Sequence, residues 1–202
     1  MRLEVPFYQQ TTELNCGPSA LRMVIAYFDR DVGLEILEQR TGIKKDKSIS
    51  TIQIATASVL SGYQTQFFSK HVYFNKENLK LEFYQKYSDA IQQSNQVVKD
   101  AQKARVIIEE KEITLQKLLQ YVTNKSIPIV LLDWNVIKGT REKGYLGHFV
   151  PVVGYDKNIV YVHNHGLDNP TPFLPIKRDI FDEARKAQGT DEDIVMVYNK
   201  KS

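Results

Sequence analysis

Cys16 is the chain's only cysteine, and it stands in the run Gln10-Thr-Thr-Glu-Leu-Asn15-Cys16-Gly17-Pro18-Ser19-Ala20, directly ahead of an apolar period through Leu21, Val24, Ile25 and Phe28. That spacing predicts a helix opening at the thiol, with Asn15 as N-cap and Pro18 in a first turn where a missing N–H costs nothing. Unpaired first-turn N–H groups and the helix dipole favour an anion, so Cys16 is expected to be a thiolate of lowered pKa and a nucleophile. By itself an unpaired cysteine is a small buried hydrophobe. A base and an orienting group are what turn it into chemistry, and His148 and Asn164 are the candidates. Residues 147–155 and 159–163 are β-rich runs separated by Asp156-Lys-Asn158, a loop of hairpin length. A turn centred on Lys157 sets Val150 opposite Asn164 and makes His148 the diagonal neighbour of Asn164 on the same face, about 7–8 Å away at the backbone. Gln10, six residues before the thiol, is the candidate side-chain donor to an oxyanion, beside the Cys16 N–H.

The elements that must position these residues follow from pattern. Residues 34–40 form a short amphipathic helix closed by Gly42, and Ser50 or Thr51 caps another through Ile52, Ile54, Ala55, Val59 and Leu60. Residues 63–69 are extended. From 78 to 104 the spacing Phe83, Tyr87, Ile91, Val98, Ala101 predicts one long helix with a single apolar face. Its segment, about 76–112, balances acidic and basic residues, as expected of a helical insertion with a solvated face, a lid over a cleft, or a surface for a protein partner. Residues 105–109 and 128–133 are strands, Thr114 caps a helix to Tyr121, a helix covers 178–187 and a strand covers 193–198. The whole is α+β, with helices first and an antiparallel sheet after, in one domain spanning 1–202.

Composition narrows the classes. The chain has 202 residues, 42% hydrophobic and 25% charged, with 27 basic against 24 acidic side chains and a net charge of +3, the balance of a water-soluble globular chain. No basic stripe marks a nucleic-acid or anionic-membrane partner. The opening Met1-Arg-Leu-Glu-Val-Pro-Phe lacks the apolar run of a secretory signal, and a lone cysteine suits a reducing compartment, so a cytoplasmic location is expected. His163 and His165, two apart with Asp168 nearby, could share one face of a strand as zinc ligands, but no second ligand motif accompanies them, and no metal or cofactor is expected.

Thiol, base and orienter occur in the chain order of papain-like enzymes. Residues 10–28 and 147–155 resemble the nucleophile and histidine segments of the papain-like peptidases that trim double-glycine leader peptides from bacteriocins. More closely, Cys16-Gly17 with Arg22-Met23-Val24, Gly147-His-Phe149, and above all Phe181-Asp-Glu-Ala-Arg185 with Gly189-Thr-Asp-Glu-Asp-Ile194 resemble the guanylyl cyclase domain-containing protein family. The resemblance implies a papain-like fold with Cys16 as nucleophile, His148 as base, Asn164 as third member and Gln10 as oxyanion donor. It implies a cysteine hydrolase or acyl transferase acting on a peptide, protein or acyl substrate, or a catalytically silent descendant that binds a partner. Two departures stand out: Asn164 replaces the peptidases' aspartate, and His165 stands where both families usually have proline. The family's name suggests a nucleotide cyclase, yet the sequence holds no Gly-x-x-x-x-Gly-Lys-Ser/Thr loop and no paired-aspartate motif at a strand end for two metals.

Overall fold

The computed structural model describes residues 1–88 and 90–200, and side chains for 1–88 and 95–200. Helix α1 (Cys16–Phe28) opens at the thiol, as its apolar period requires, and buries Ala20, Leu21, Met23, Val24 and Ile25. Helix α2 (Leu34–Thr41) stops at Gly42, whose left-handed φ of 67° lets its N–H reach the carbonyls of Glu38 and Gln39. Helix α3 (Thr51–Leu60) is opened by a reciprocal capping box between Ser50 and Gln53.

Among the described residues, seven strands form one sheet: β1 (Gln64–Ser69), β2 (Ile107–Glu110), β3 (Ser126–Asp133), β4 (Gly147–Tyr155), β5 (Ile159–Asn164), β6 (Thr171–Lys177) and β7 (Ile194–Tyr198), in the order β2-β1-β7-β3-β4-β5-β6. Neighbours run antiparallel except β1 and β2, which are parallel. Every residue of β3 is buried, because α1 packs on it and so does α8 (Arg178–Lys186). The β4–β5 hairpin is closed by Asp156, whose carboxylate accepts the N–H groups of Asn158 and Ile159, both at 2.9 Å. Val152 pairs with Val162, the register of a turn centred on Lys157, and a bulge between Val152 and Gly154 shifts the pairing by one nearer the turn.

Two expectations are corrected. The long helix over 78–104 is instead a 3-10 turn (Lys76–Lys80) and two helices, α4 (Glu82–Tyr87) and α5 (Ala90–Lys103), with extended backbone at Leu81 and Ser88. The cause is tertiary: Phe83 and Tyr84 pack against Tyr145, which a continuous helix would not reach. Val98 and Ala101 do sit in the core, while the side chain of Ile91 lies outside the described residues. The sheet is not confined to the C-terminal third, since β1 and β2 come from before residue 111. Strand β6 carries Pro172 and Pro175, which argue against a strand in sequence and are tolerated because β6 is an edge. Helices α6 (Leu115–Gln120), capped by Thr114, and α7 (Trp134–Lys138), capped by Asp133, complete the chain.

The first ten residues are stitched across the sheet. Leu3 N–H donates to Val153 O at 2.7 Å, Tyr155 N–H to Met1 O at 2.9 Å, and Gln10 N–H to His165 O at 2.9 Å. Gly154 permits the crossing, because a Cβ there would lie 2.6 Å from Met1 O.

Candidate active site

Cys16 is 7% exposed and begins α1, pressed on β4. Gly17 allows this: a Cβ there would stand 2.8 Å from the terminal methyls of Ile49 and Ile54. The expected cap is corrected. The Asn15 side chain accepts the N–H groups of Thr11 and Thr12 at 3.2 and 3.1 Å and donates to Glu38 at 2.8 Å, so it braces the loop before the thiol and leaves the first turn's N–H groups open. The thiol meets the backbone N–H groups of Phe149, Gly17 and Cys16 itself, all of which favour the thiolate. Burial outweighs them and pushes the thiol above its ordinary 9.0, which corrects the expectation of a lowered pKa.

His148 is buried on β4, next to the Phe149 N–H that faces the thiol. Trp134 packs edge-on against its ring at 4.8 Å between centroids. Burial and the neighbouring His165 push the His148 ring well below 6.5, while Asn164 pulls the other way by hydrogen bonding to the charged form. His148 Nε2 is buried with no hydrogen-bond partner among the described residues. Asn164 is held from its other end, its amide donating to Asn169 O at 2.8 Å and its Oδ1 accepting Gly166 N–H at 3.3 Å.

The fold therefore brings His148 and Asn164 together and sets the strand carrying His148 against Cys16. Gln10 reaches the same region by its backbone bond to His165 O. Its Nε2 donates to Thr12 O at 2.8 Å, which leaves one N–H of that amide for another acceptor.

His165 was the residue sequence reasoning read least well. It is fully buried, and its Nε2 lies 2.9 Å from Cys16 O while Nδ1 lies 3.2 Å from His163 O. The shorter contact assigns the single N–H of a neutral ring to Nε2, and burial pushes this ring down to about 4. His163 is equally committed, Nε2 donating to Val5 O at 2.9 Å and Nδ1 accepting Phe173 N–H at 3.0 Å. His163 uses both ring nitrogens and His165 ties its Nε2–H to Cys16 O, so the two histidines are structural ties. Trp134 was missed as well; being the chain's one tryptophan, just after an apolar strand, was its only signal.

A cleft of about 210 Å³ opens beside the thiol. Cys16, Gly147, Phe149, Phe83, Tyr84, Tyr145, Asn78, Asp191 and Asp193 are among its lining residues; His148, Asn164 and Gln10 are not.

The family model described as guanylylate cyclase matches residues 5–197. Among solved structures, the chain is similar to a C39-like peptidase from Bacillus anthracis (12% identity, 96% of this chain and 94% of that one, TM-score 0.57). It is similar to a double glycine motif protease of an AMS/PCAT transporter, solved with its leader peptide (19%, 98% and 92%, 0.52), and to the peptidase domain of Streptococcus ComA (13%, 96% and 98%, 0.52). The fold is that of these papain-like C39 peptidases.

Proposed function

This chain belongs to the guanylylate cyclase family, and we propose that within its papain-like fold Cys16 is the nucleophile of a cysteine hydrolase or acyl transferase. The observation that carries the reading is the thiol at the start of α1, facing the N–H of Phe149 immediately beside His148. Both groups are held neutral at rest by burial, so proton transfer accompanies attack: His148 takes the Sγ proton as sulfur bonds to the carbonyl carbon of an amide, ester or thioester. The Cys16 N–H and the spare N–H of Gln10 Nε2 receive the oxyanion. Collapse expels the leaving group with the proton from His148, and water, or an acceptor nucleophile, then releases the acyl group from sulfur. Asn164 turns the His148 ring and, being uncharged, supports the imidazolium by hydrogen bonding alone.

The whole of 1–202 serves this site as one domain, with 76–112 bordering the cleft through Phe83 and Tyr84. The test is an acyl-electrophile trap read by mass spectrometry. A covalent adduct on Cys16 that forms more slowly in Gln10→Ala and is lost in His148→Ala is the expected result; no adduct on a native, reagent-accessible thiol overturns it.

Burial of both groups also favours a second reading, a silent papain-like module that binds a protein partner through the cleft and 76–112. Nucleotide cyclisation fits less well, since Asp191 in the cleft has its carboxylate engaged by the amides of Asn75 and Asn78, at 3.1 and 2.8 Å, where a metal would need it.

A further inference from the structure

His165 follows the last residue of β5 and touches three parts of the site at once. Its backbone carbonyl accepts the N–H of Gln10 at 2.9 Å, its ring lies 4.9 Å from the His148 ring between centroids, and its Nε2 lies 2.9 Å from the carbonyl oxygen of Cys16. Burial pushes the ring down to about 4, so at neutral pH it carries a single N–H. Two carbonyls compete for that proton, and the contact of Nδ1 with His163 O, at 3.2 Å, is the longer one.

The Cys16 contact bears on the thiol. Cys16 opens α1, and its carbonyl belongs to the peptide that joins it to Gly17. A trans peptide is planar with its oxygen and N–H on opposite sides, so a donor that fixes the oxygen also fixes where the N–H points. That N–H, on Gly17, meets the Cys16 sulfur and favours the thiolate. The α-carbon of Gly17 is close-packed as well, since a Cβ there would stand 2.8 Å from the terminal methyls of Ile49 and Ile54. The peptide is thus held by its oxygen and packed at its next carbon, with its N–H left for sulfur.

We propose that His165 is a positioning residue for the nucleophile: its Nε2–H holds the Cys16 carbonyl so that the Gly17 N–H stays on sulfur as the thiolate forms. His165 exchanges no proton in this role, and the Sγ proton still passes to His148. The proposal deepens the hydrolase reading and rests on it only for what the thiolate then attacks.

Two measurements on the full chain test it. Long-range proton–nitrogen NMR of the native protein at about pH 7 reads the His165 tautomer. Nε2–H is expected; a neutral ring protonated at Nδ1 overturns the proposal, because it has no donor to offer Cys16. The second measurement is the rate at which iodoacetamide alkylates Cys16 at about pH 8, which follows the thiolate and needs no carbonyl substrate. His165→Phe keeps an aromatic ring without the N–H and is expected to slow alkylation about tenfold, as weakening one charge-assisted hydrogen bond to the thiolate does. His165→Gln, which restores an N–H donor, is expected to recover most of the loss. The sign separates positioning from packing: burial is what holds the thiol above its ordinary 9.0, so a variant that merely loosened α1 would expose Cys16 and speed its alkylation. An unchanged or faster rate in a folded His165→Phe protein overturns the proposal, as does a folded His165→Gln protein as slow as the Phe variant. The tautomer decides the matter if neither variant folds. If tautomer and rates come out as expected while the acyl trap fails on the native chain, the positioning role stands and only the hydrolase reading falls.

Discussion

Two regions of the molecule treat charge in opposite ways. Around the thiol, burial drives every titratable group toward its neutral form: Cys16 up, His148 and His165 down. At Arg185, which holds the Gly189–Ile194 turn, charge is buried and paired, while burial pushes the Asp193 carboxyl of the same turn up to about 7. The Arg185 side chain is fully enclosed, with Nε donating to Asp182 at 2.7 Å and Nη1 to Glu192 at 3.0 Å. A neutral thiol region suits a proton that moves only during reaction, whereas the paired charges of Arg185, Asp182 and Glu192 brace the turn that leads into β7.

The strongest way to break this contrast is at the base. His148→Ala is expected to lower the acylation rate of Cys16 by about 10⁶-fold, as losing either partner of a nucleophile–base pair does. Because the thiol starts neutral, part of that loss should return above pH 9, where hydroxide removes the Sγ proton; a rate that stays flat to pH 10 would show that the proton is not what His148 supplies. Asn164→Ala comes next, with a fall of up to about 10⁴-fold, while Asn164→Asp keeps or raises the rate by adding charge behind the imidazolium. Equal rates in all three forms remove Asn164 from the site.

At the charged region the readout is stability. Arg185→Met strips the partner from Glu192 and Asp182 and should cost about 3–5 kcal/mol in urea unfolding, the range for breaking a buried ion pair. A loss under about 1 kcal/mol would mean the network is solvated and the turn is held otherwise. The smallest effect sharpens the comparison most. His148, His163 and His165 have folded values below their ordinary 6.5, so between about pH 6.5 and 4 the unfolded chain binds protons that the native chain refuses, and stability falls with acid. Asp193, raised from 3.8 to about 7, does the reverse, since below pH 7 the native chain holds a proton that the unfolded chain releases until near pH 4. Each unmatched proton is worth about 1.4 kcal/mol per pH unit. Asp193→Asn should therefore steepen the acid loss, and a slope unchanged between pH 6.5 and 5 would count against the buried state of that carboxyl group.

Local signals carried much of this fold. The opening of α1 followed from its apolar period and Pro18, and the hairpin register from the length of Asp156-Lys-Asn158 between two β-rich runs. What failed depended on residues far away in sequence. Phe83 and Tyr87 have helical spacing, but the helix is short where Phe83 and Tyr84 pack on the distant Tyr145. Asn15 has the type of a cap and is diverted by Thr11, Thr12 and Glu38. The helix start argued for a thiolate, and only the packing of α1 on β4 revealed that desolvation is the larger effect. His163 and His165 looked like ligands because the carbonyls of Val5 and Cys16, which hold them, cannot be seen from residues 163–168.

The stitching of the first ten residues across β4 and β5 bears on how the molecule is made. The carbonyl of Cys16 meets its histidine partner 149 residues further along the chain, so this tie cannot close over the thiol until β5 has left the ribosome. At about 5–20 residues per second, that leaves Cys16 on a growing chain for roughly 7–30 s as an ordinary, open thiol. During synthesis it is exposed to any oxidant or alkylating agent present, and closure of the sheet over α1 ends that exposure. The thiol's vulnerability is then a property of the unfinished protein, and its protection arrives together with the histidine that would put it to use.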